Sequence, residues 1–416
     1  MKNLSPKAKT INVQMFHNAL EGVVYGFLIM SEVIMRREMN ATPFMIALFT
    51  MVMPVSSLFS IYFSHILSRN PGKIRLFIFL SAILTRLPMV FFFIFRGPTA
   101  LLFLTLLYFM GHSFIKPVQN IFMRLNYEKR EIGKIFAYSI SVNKILFIIA
   151  AYVFGRWLDA DSSVYILVFS ISGLFSFLSL FMLALVPFKG WTEEQQNLEK
   201  MDLFIIPTII KVFKKNMDYF RYETAFFIYG GGFMVILPAI PIMLVDYLDL
   251  SYSVISFGRG VVSAVVIITL MPLLGKLFDR RDPVFMGVIA FAILVGHPLS
   301  IILAYFVNPE FSKYVVYLSY IFFGVGMAAV TLCWNLGPMY FASNNMEIPQ
   351  FTSTHVTLTG IRGLIWPFSG YILLKIHILL PFIASIIFLV VATLIMRSLH
   401  KRPKNAIHPE VEPAGV

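Results

Sequence analysis

A few ionisable side chains stand alone inside stretches that are otherwise apolar, and they are the residues whose chemistry needs an explanation. The cations are Lys116, Lys144, Arg259 and Arg362. A charge at the centre of a hydrocarbon layer costs roughly 2.5–3.5 kcal/mol, so each must face a cavity or a partner. Guanidinium and ammonium groups hold carboxylate or phosphate strongly where water is scarce, so these four point to an anionic group on a small-molecule substrate. The alternative is that they pair with buried carboxylates or snorkel to an interface. Glu21 follows His17 by four residues, which puts both on one helix face. A carboxyl held away from water can exchange a proton in the physiological range, so the His17–Glu21 pair is a candidate for proton coupling. Its alternative is a helix-holding ion pair with Lys144 or Lys116. Trp334 and Asn335 are further candidates to touch substrate, against the ordinary reading of packing. No nucleophile–base pair, phosphate-cradling glycine loop or metal-ligand spacing stands out. No catalytic residue, metal or cofactor is expected, and the chain does not read as an enzyme.

The stretches that carry these residues are transmembrane helices. Of 416 residues 58% are apolar and 13% charged, and the mean hydropathy is +0.80, where an ordinary soluble domain is about 25% charged. Apolar windows near 20 residues recur, each long enough to cross about 30 Å of hydrocarbon, and they are continuous rather than alternating, which excludes a barrel. Twelve spans are predicted, at 13–35, 42–67, 74–95, 99–123, 135–157, 163–187, 218–246, 251–274, 283–306, 313–341, 349–373 and 376–397. With the N-terminus inside, only Arg36, Arg37, Arg96, Arg156, Lys313 and Lys375 fall on the far side, so both termini are expected in the cytoplasm. This asymmetry accounts for the net charge of +13 without a nucleic-acid partner. The first span follows a basic start but is too long for a cleavable signal. A lone cysteine, Cys333, leaves no internal disulfide.

The predicted organisation is an N-terminal six-helix half (1–187), a cytoplasmic linker (188–217), a C-terminal six-helix half (218–397) and a disordered tail (398–416). The linker ends in an amphipathic stretch tipped by Lys211, Lys214 and Lys215, suited to an anionic inner leaflet. Internal similarity supports two related halves. Gly275-Lys-Leu-Phe-Asp279-Arg280-Arg-Asp-Pro283 is echoed by Ser64-His-Ile-Leu-Ser-Arg69-Asn and Pro71-Gly72-Lys73-Ile-Arg75, and Ala82-Ile-Leu-Thr-Arg-Leu-Pro88 by Ala292-Ile-Leu-Val-Gly-His-Pro298. Phe16-His17 and Tyr25-Gly26 likewise pair with Phe220-Arg221 and Tyr229-Gly230.

Two similar six-span halves, a cytoplasmic middle loop and these basic loops after spans two and eight resemble the major facilitator superfamily. The family's loop reads Gly-x-Leu-x-Asp-Arg-x-Gly-Arg-Arg. Gly275, Leu277, Asp279 and Arg280 match it, while the first-half copy keeps Arg69, Gly72, Lys73 and Arg75 but has Ser64 and Ser68 in place of Gly and Asp. The resemblance implies an all-α fold of twelve helices in two pseudo-symmetric halves, which alternate access to a mid-membrane site. It implies that Gly275, Asp279, Arg280, Arg69, Gly72 and Lys73 latch one state, and that the spans bearing Lys116, Lys144, Arg259 and Arg362 line the cavity. It also assigns Arg86 and Glu223 to structural roles, while Glu32 and Asp246 are expected near the outer ends in water. Two family signatures are absent: the fourth-span arginine of many proton-coupled members, expected near Leu107, and the Gly-Pro-rich fifth-span motif of drug antiporters.

Gly230-Gly231-Gly232 is expected to interrupt span seven, with Gly231 at a bend that serves gating, or else to allow close packing. The expected function is a secondary transporter of the cytoplasmic (inner) membrane for a small organic anion, moved with or against protons. One rival is an exporter of amphipathic compounds or lipids, its cavity built from some of the 43 Phe and 22 Met. Another is a non-transporting sensor or assembly partner on the same scaffold.

Overall fold

The computed structural model describes residues 6–186, 205–343 and 347–401. The linker from 188 to 204 and the tail from 402 lie outside the described residues. Every described element is helical. The first six predicted spans correspond to α1 (Pro6–Leu28) with α2 (Ser31–Arg37), α3 (Pro43–Leu58) with α4 (Ser60–Arg69), α5 (Ile74–Ser81) with its continuation to Phe93, α6 (Pro98–Asn126), α7 (Lys129–Ala160) and α8 (Val164–Ala184). After α9 (Ile205–Lys215) come α10 (Met217–Met234) with α11 (Ala239–Ile242), α12 (Tyr252–Ser256) leading into α13 (Ser263–Arg280), α14 (Pro283–Leu294) with α15 (Gly296–Phe306), α16 (Pro309–Phe341), α17 (Ile348–Ile376) and α18 (Leu380–His400). Ten stretches among the described residues are long and apolar enough to cross a membrane. The other two predicted spans are helical but differ: α3 is apolar and short, and α17 carries His355, Arg362 and a run of hydroxyls.

The breaks have chemical causes. Pro54 removes an amide donor from α3, and the hydroxyls of Ser56 and Ser57 bond back to the carbonyls of Val52 and Pro54, at 2.8 and 2.7 Å, just before the helix turns at Phe59. Span seven departs from expectation. Helix α10 runs unbroken through Gly230–Gly232, and the interruption comes after it, at residues 235–238. Proline supplies the reason: Pro238 and Pro241 lack the N–H groups that would bond one turn back. The glycines serve close approach. Three stretches widen into π-helix, Ala82–Arg86, Met243–Tyr247 and Phe257–Val262, and two of them hold a buried or half-buried arginine.

Contacts divide the chain into two compact units, one formed by Met1–Leu203 with Leu250–Val261, the other by Phe204–Asp249 with Val262–Val416. In the first, α1 packs against α7 and also against α8. Gly22 and Gly26 make that closeness possible, because a β-carbon at either would collide with the backbone carbonyl of Asn143 or Phe147. In the second, α10 packs between α17 and α18, and α14 packs against α16. The core there is aromatic, centred on Tyr219, Tyr222, Phe226, Tyr229 and Phe291. Replacing Gly22 or Gly26 with Val overpacks the α1–α7 seam at a cost of about 1–3 kcal/mol. The expected outcome is a lower melting temperature for either variant in detergent, with Gly72→Val, at an open position, leaving it unchanged.

Candidate functional site

In the first unit α1, α6 and α8 enclose a polar network inside an apolar core. Glu21 is buried and accepts two hydroxyl hydrogen bonds, from Tyr108 and from Ser176, each at 2.7 Å. Arg86, also buried, lies over the Tyr108 ring with its guanidinium carbon 3.8 Å from the centroid. Its Nε and Nη1 have no hydrogen-bond partner. His17, one turn before Glu21, meets Ser179 Oγ at 2.6 Å through Nδ1 and Gln119 Nε2 at 2.6 Å through Nε2. The amide donates to Nε2, so Nδ1–H donates to Ser179, whose hydroxyl reaches the His17 carbonyl at 3.5 Å. His17 and Glu21 therefore share a face, as expected, but each is held by partners of its own. Glu21 is served by hydroxyls and by Arg86 nearby rather than by Lys144. Arg86 thus lies over Tyr108 and close to Glu21, neighbours that its isolated position in the sequence did not suggest.

Lys144 projects from the exposed face of α7, near the middle of the span, over the ring of Phe147 at 5.4 Å. No carboxylate lies within ion-pair distance of it among the described residues. Lys116 is on α6, but its side chain lies outside the described residues. Arg259, in the π-helical turn, forms a two-pronged ion pair with Glu32, at 2.7 and 3.1 Å. This corrects the expectation for Glu32: it is not a solvated outer residue but is largely covered and neutralises Arg259. Arg259 is accordingly occupied by a partner, the alternative left open above. The same region is tied by Asp159, which accepts from the amides of Tyr252 and Ser253 at 2.7 and 2.9 Å, and by Glu38, which takes hydrogen bonds from Ser162 and Tyr252.

In the second unit a polar seam runs between α10 and α17. His355, Thr359, Arg362 and Trp366 follow one another at spacings of four, three and four along α17, one face of the helix. Opposite His355, Glu223 receives its Nδ1 at 2.8 and 3.0 Å, both residues being almost wholly buried. Arg362 is buried, donates from Nη1 to the Phe226 carbonyl at 2.6 Å and lies 5.6 Å from the Tyr229 ring. No carboxylate pairs with it among the described residues, and its Nε has no partner. Gly230 admits it, since a β-carbon there would strike its side chain, and Gly231 makes the same room for Trp366. Trp334 is half-buried, donates from Nε1 to Thr359 Oγ1 at 3.4 Å and packs edge-on to His355. Asn335 is exposed and bonds its own helix, to the Thr331 carbonyl at 2.7 Å. Sequence reasoning missed the Glu223–His355 pair. Its only signal was a carboxyl and an imidazole inside predicted spans seven and eleven, and nothing in spacing joins residues so far apart.

The basic loops are simple. Gly72 and Gly275 face open space, and Lys73 and Arg280 are exposed. The side chains of Arg69 and Asp279 lie outside the described residues. The carboxylate that caps the next helix is Asp282, which accepts from the Phe285 amide at 2.8 Å. Arg75 ties its loop to the end of α8 through the Ala184 carbonyl at 2.9 Å.

Over residues 17–348 the sequence matches a family model, that of the Major Facilitator Superfamily. The chain belongs to that superfamily. It is a multi-pass membrane protein of a transporter family. Solved structures agree in fold. A mutant form of the nucleoside transporter NupG matches with TM-score 0.75 at 12% identity, covering 95% of this chain and 100% of its own. A bacterial homologue of the human lysosomal transporter Spinster, in an inward-facing and unoccupied conformation, matches with TM-score 0.69 at 12% identity, covering 96% and 98%. A POT family transporter in complex with a thioalcohol-conjugated peptide matches with TM-score 0.69 at 13% identity, covering 93% and 94%. No curated protein matches the sequence.

The Arg259–Glu32 pair generates a test. Glu32→Gln strands a partly covered guanidinium and is expected to cost about 1–3 kcal/mol. The exchanged double variant Glu32→Arg with Arg259→Glu is expected to recover most of the loss, read as melting temperatures in a double-mutant cycle.

Proposed function

We propose that this superfamily member is a secondary transporter of the cytoplasmic membrane, with twelve spans and both termini inside, that moves a small organic anion by alternating access. The observation that supports the anion is the state of Lys144 and Arg362. Each lies deep within a span on its own unit, and neither has a carboxylate partner among the described residues. An exposed ammonium at mid-span does not face hydrocarbon without large cost, so the exposed face of α7 at Lys144 borders water. Arg362 keeps a donor unfilled in an aromatic setting, where a charge-assisted bond to carboxylate or phosphate is strongest. Arg259, already neutralised by Glu32, is assigned a holding role, and Trp334 shapes the seam beside His355. The nucleoside and peptide named for the structural neighbours differ from each other, so the shared fold leaves the substrate to these local charges. Glu21 and His17 remain one candidate proton site, and the loop residues Gly275, Asp279, Arg280, Arg69, Gly72 and Lys73 one candidate latch.

The test is thermal stabilisation of purified protein by succinate, citrate and inorganic phosphate, against uridine and tetraphenylphosphonium, followed by counterflow of the best ligand in proteoliposomes. Ligand that binds only the folded state raises the melting temperature by mass action. Anions are expected to stabilise, and Arg362→Ala is expected to weaken binding about 10–100-fold, the worth of one charge-assisted hydrogen bond. Stabilisation by tetraphenylphosphonium alone would replace this reading with the exporter of amphipathic compounds. A Glu21→Gln variant that loses proton-driven uptake but keeps counterflow would assign the proton to Glu21.

A further inference from the structure

We propose that the buried pair Glu223–His355 is a proton-binding site, and that the proton it takes up at His355 Nε2 strengthens anion binding at Arg362. The inference rests on the anion reading above and deepens it. Imidazole Nδ1 faces both carboxylate oxygens of Glu223, at 2.8 and 3.0 Å. An ionised carboxylate only accepts, so Nδ1 carries its hydrogen and donates it. The other ring nitrogen is then defined by elimination. Nε2 is a lone pair when the imidazole is neutral and an N–H when it is protonated. It is buried and has no hydrogen-bond partner. A structural His–Glu contact would satisfy both nitrogens or leave the second in water, because an unfilled buried polar atom costs about 1–3 kcal/mol.

The surroundings insulate the pair and connect it in one direction. Phe226 stacks edge-on to the imidazole from α10, Trp334 does so from α16, and Phe291 of α14 backs Phe226. From α9, Phe213 packs on Tyr219. The titratable or charged groups that act on Glu223 are Tyr219, whose hydroxyl also lies within its hydrogen-bond reach, and Tyr222 on α10, and Arg362 on α17. Tyr219 and Tyr222 direct their hydroxyls to the carbonyls of Phe351 and Cys333, at 2.7 and 2.9 Å. Arg362 is the permanent charge on the imidazole's own helix face, two turns and about 10 Å along the axis.

The charge balance gives the mechanism. With neutral imidazole the pair carries one negative charge, which offsets Arg362. A proton added at Nε2 makes imidazolium, the Nδ1–H stays on the carboxylate, and the pair becomes neutral. Arg362 then stands uncompensated and holds an anion more tightly, by roughly tenfold for unit charges at that separation. Linkage is reciprocal, so bound anion equally favours the proton. Release of either loosens the other, and proton and anion travel in the same direction.

The experiment uses full-length protein. In histidine-¹⁵N-labelled protein the His355 signal, assigned by its loss in His355→Gln, is expected to pass from the pattern of a neutral Nδ1–H imidazole to that of imidazolium on acidification, and to differ in Glu223→Gln. In proteoliposomes loaded with the best anion of the panel, wild type is expected to accumulate anion under an acid-outside gradient. Glu223→Gln and His355→Gln are expected to keep counterflow, lose gradient-driven accumulation and lose the pH dependence of anion affinity. A His355 signal that does not titrate, accumulation that survives in both variants, or counterflow lost together with accumulation in variants that melt like wild type would each overturn the proposal. If wild type shows no counterflow with any anion, the anion reading fails, and the titration alone decides the proton site.

Discussion

Hydrocarbon offers no hydrogen bonds, and this constraint organises the protein. Backbone groups are satisfied by making every described element a helix. Side-chain polar groups are satisfied by gathering them where helices meet. Glu21 finds the hydroxyls of Tyr108 and Ser176, His17 finds Ser179 and Gln119, Glu223 finds His355, and Arg259 finds Glu32. Some serines bond back to their own turn, as Ser172 does to the Val168 carbonyl at 2.8 Å.

Against that background the unfilled groups stand out. Arg86 Nε and Nη1, His355 Nε2, Arg362 Nε and Trp366 Nε1 are all buried without partners. Other buried atoms without partners, such as Gln14 Oε1, Ser31 Oγ and Thr105 Oγ1, are scattered over α1, α2 and α6, whereas His355, Arg362 and Trp366 share one stripe of α17 facing α10. Interhelical hydrogen bonds and small residues both serve packing in lipid, but a buried polar atom left without a partner serves neither. The glycines of α10 fit this view. They do not bend the helix, and they create the space in which Arg362 and Trp366 reside.

The two units solve the problem of a buried carboxylate differently. Glu21 accepts one hydroxyl hydrogen bond on each carboxylate oxygen, from Tyr108 and Ser176. Glu223 meets the Nδ1 edge of His355, with the Tyr219 hydroxyl beside it, and the opposite imidazole nitrogen has no partner. The first arrangement holds α1, α6 and α8 in register. The second has two chemically distinct states of similar shape, which is what a site that loads and unloads a proton requires.

The sequence by itself determined the class of protein and the place of nearly every helix. Windows of some twenty apolar residues are long enough to cross a membrane, whereas the break in span seven, expected at Gly230–Gly232, falls at 235–238. It also marked Glu21, Lys144, Arg259 and Arg362 as anomalous, because one charge in an apolar run is visible without knowing its neighbours. What each charge meets was decided only by tertiary structure. Glu32 and Arg259 lie in different predicted halves, Glu223 and His355 in spans seven and eleven, and nothing along the chain specifies that they touch. The triple glycine shows the same limit. Its composition suggests a flexible joint, yet a glycine in a helix bends or packs according to what stands opposite, and here Arg362, Trp366 and Leu389 stand opposite.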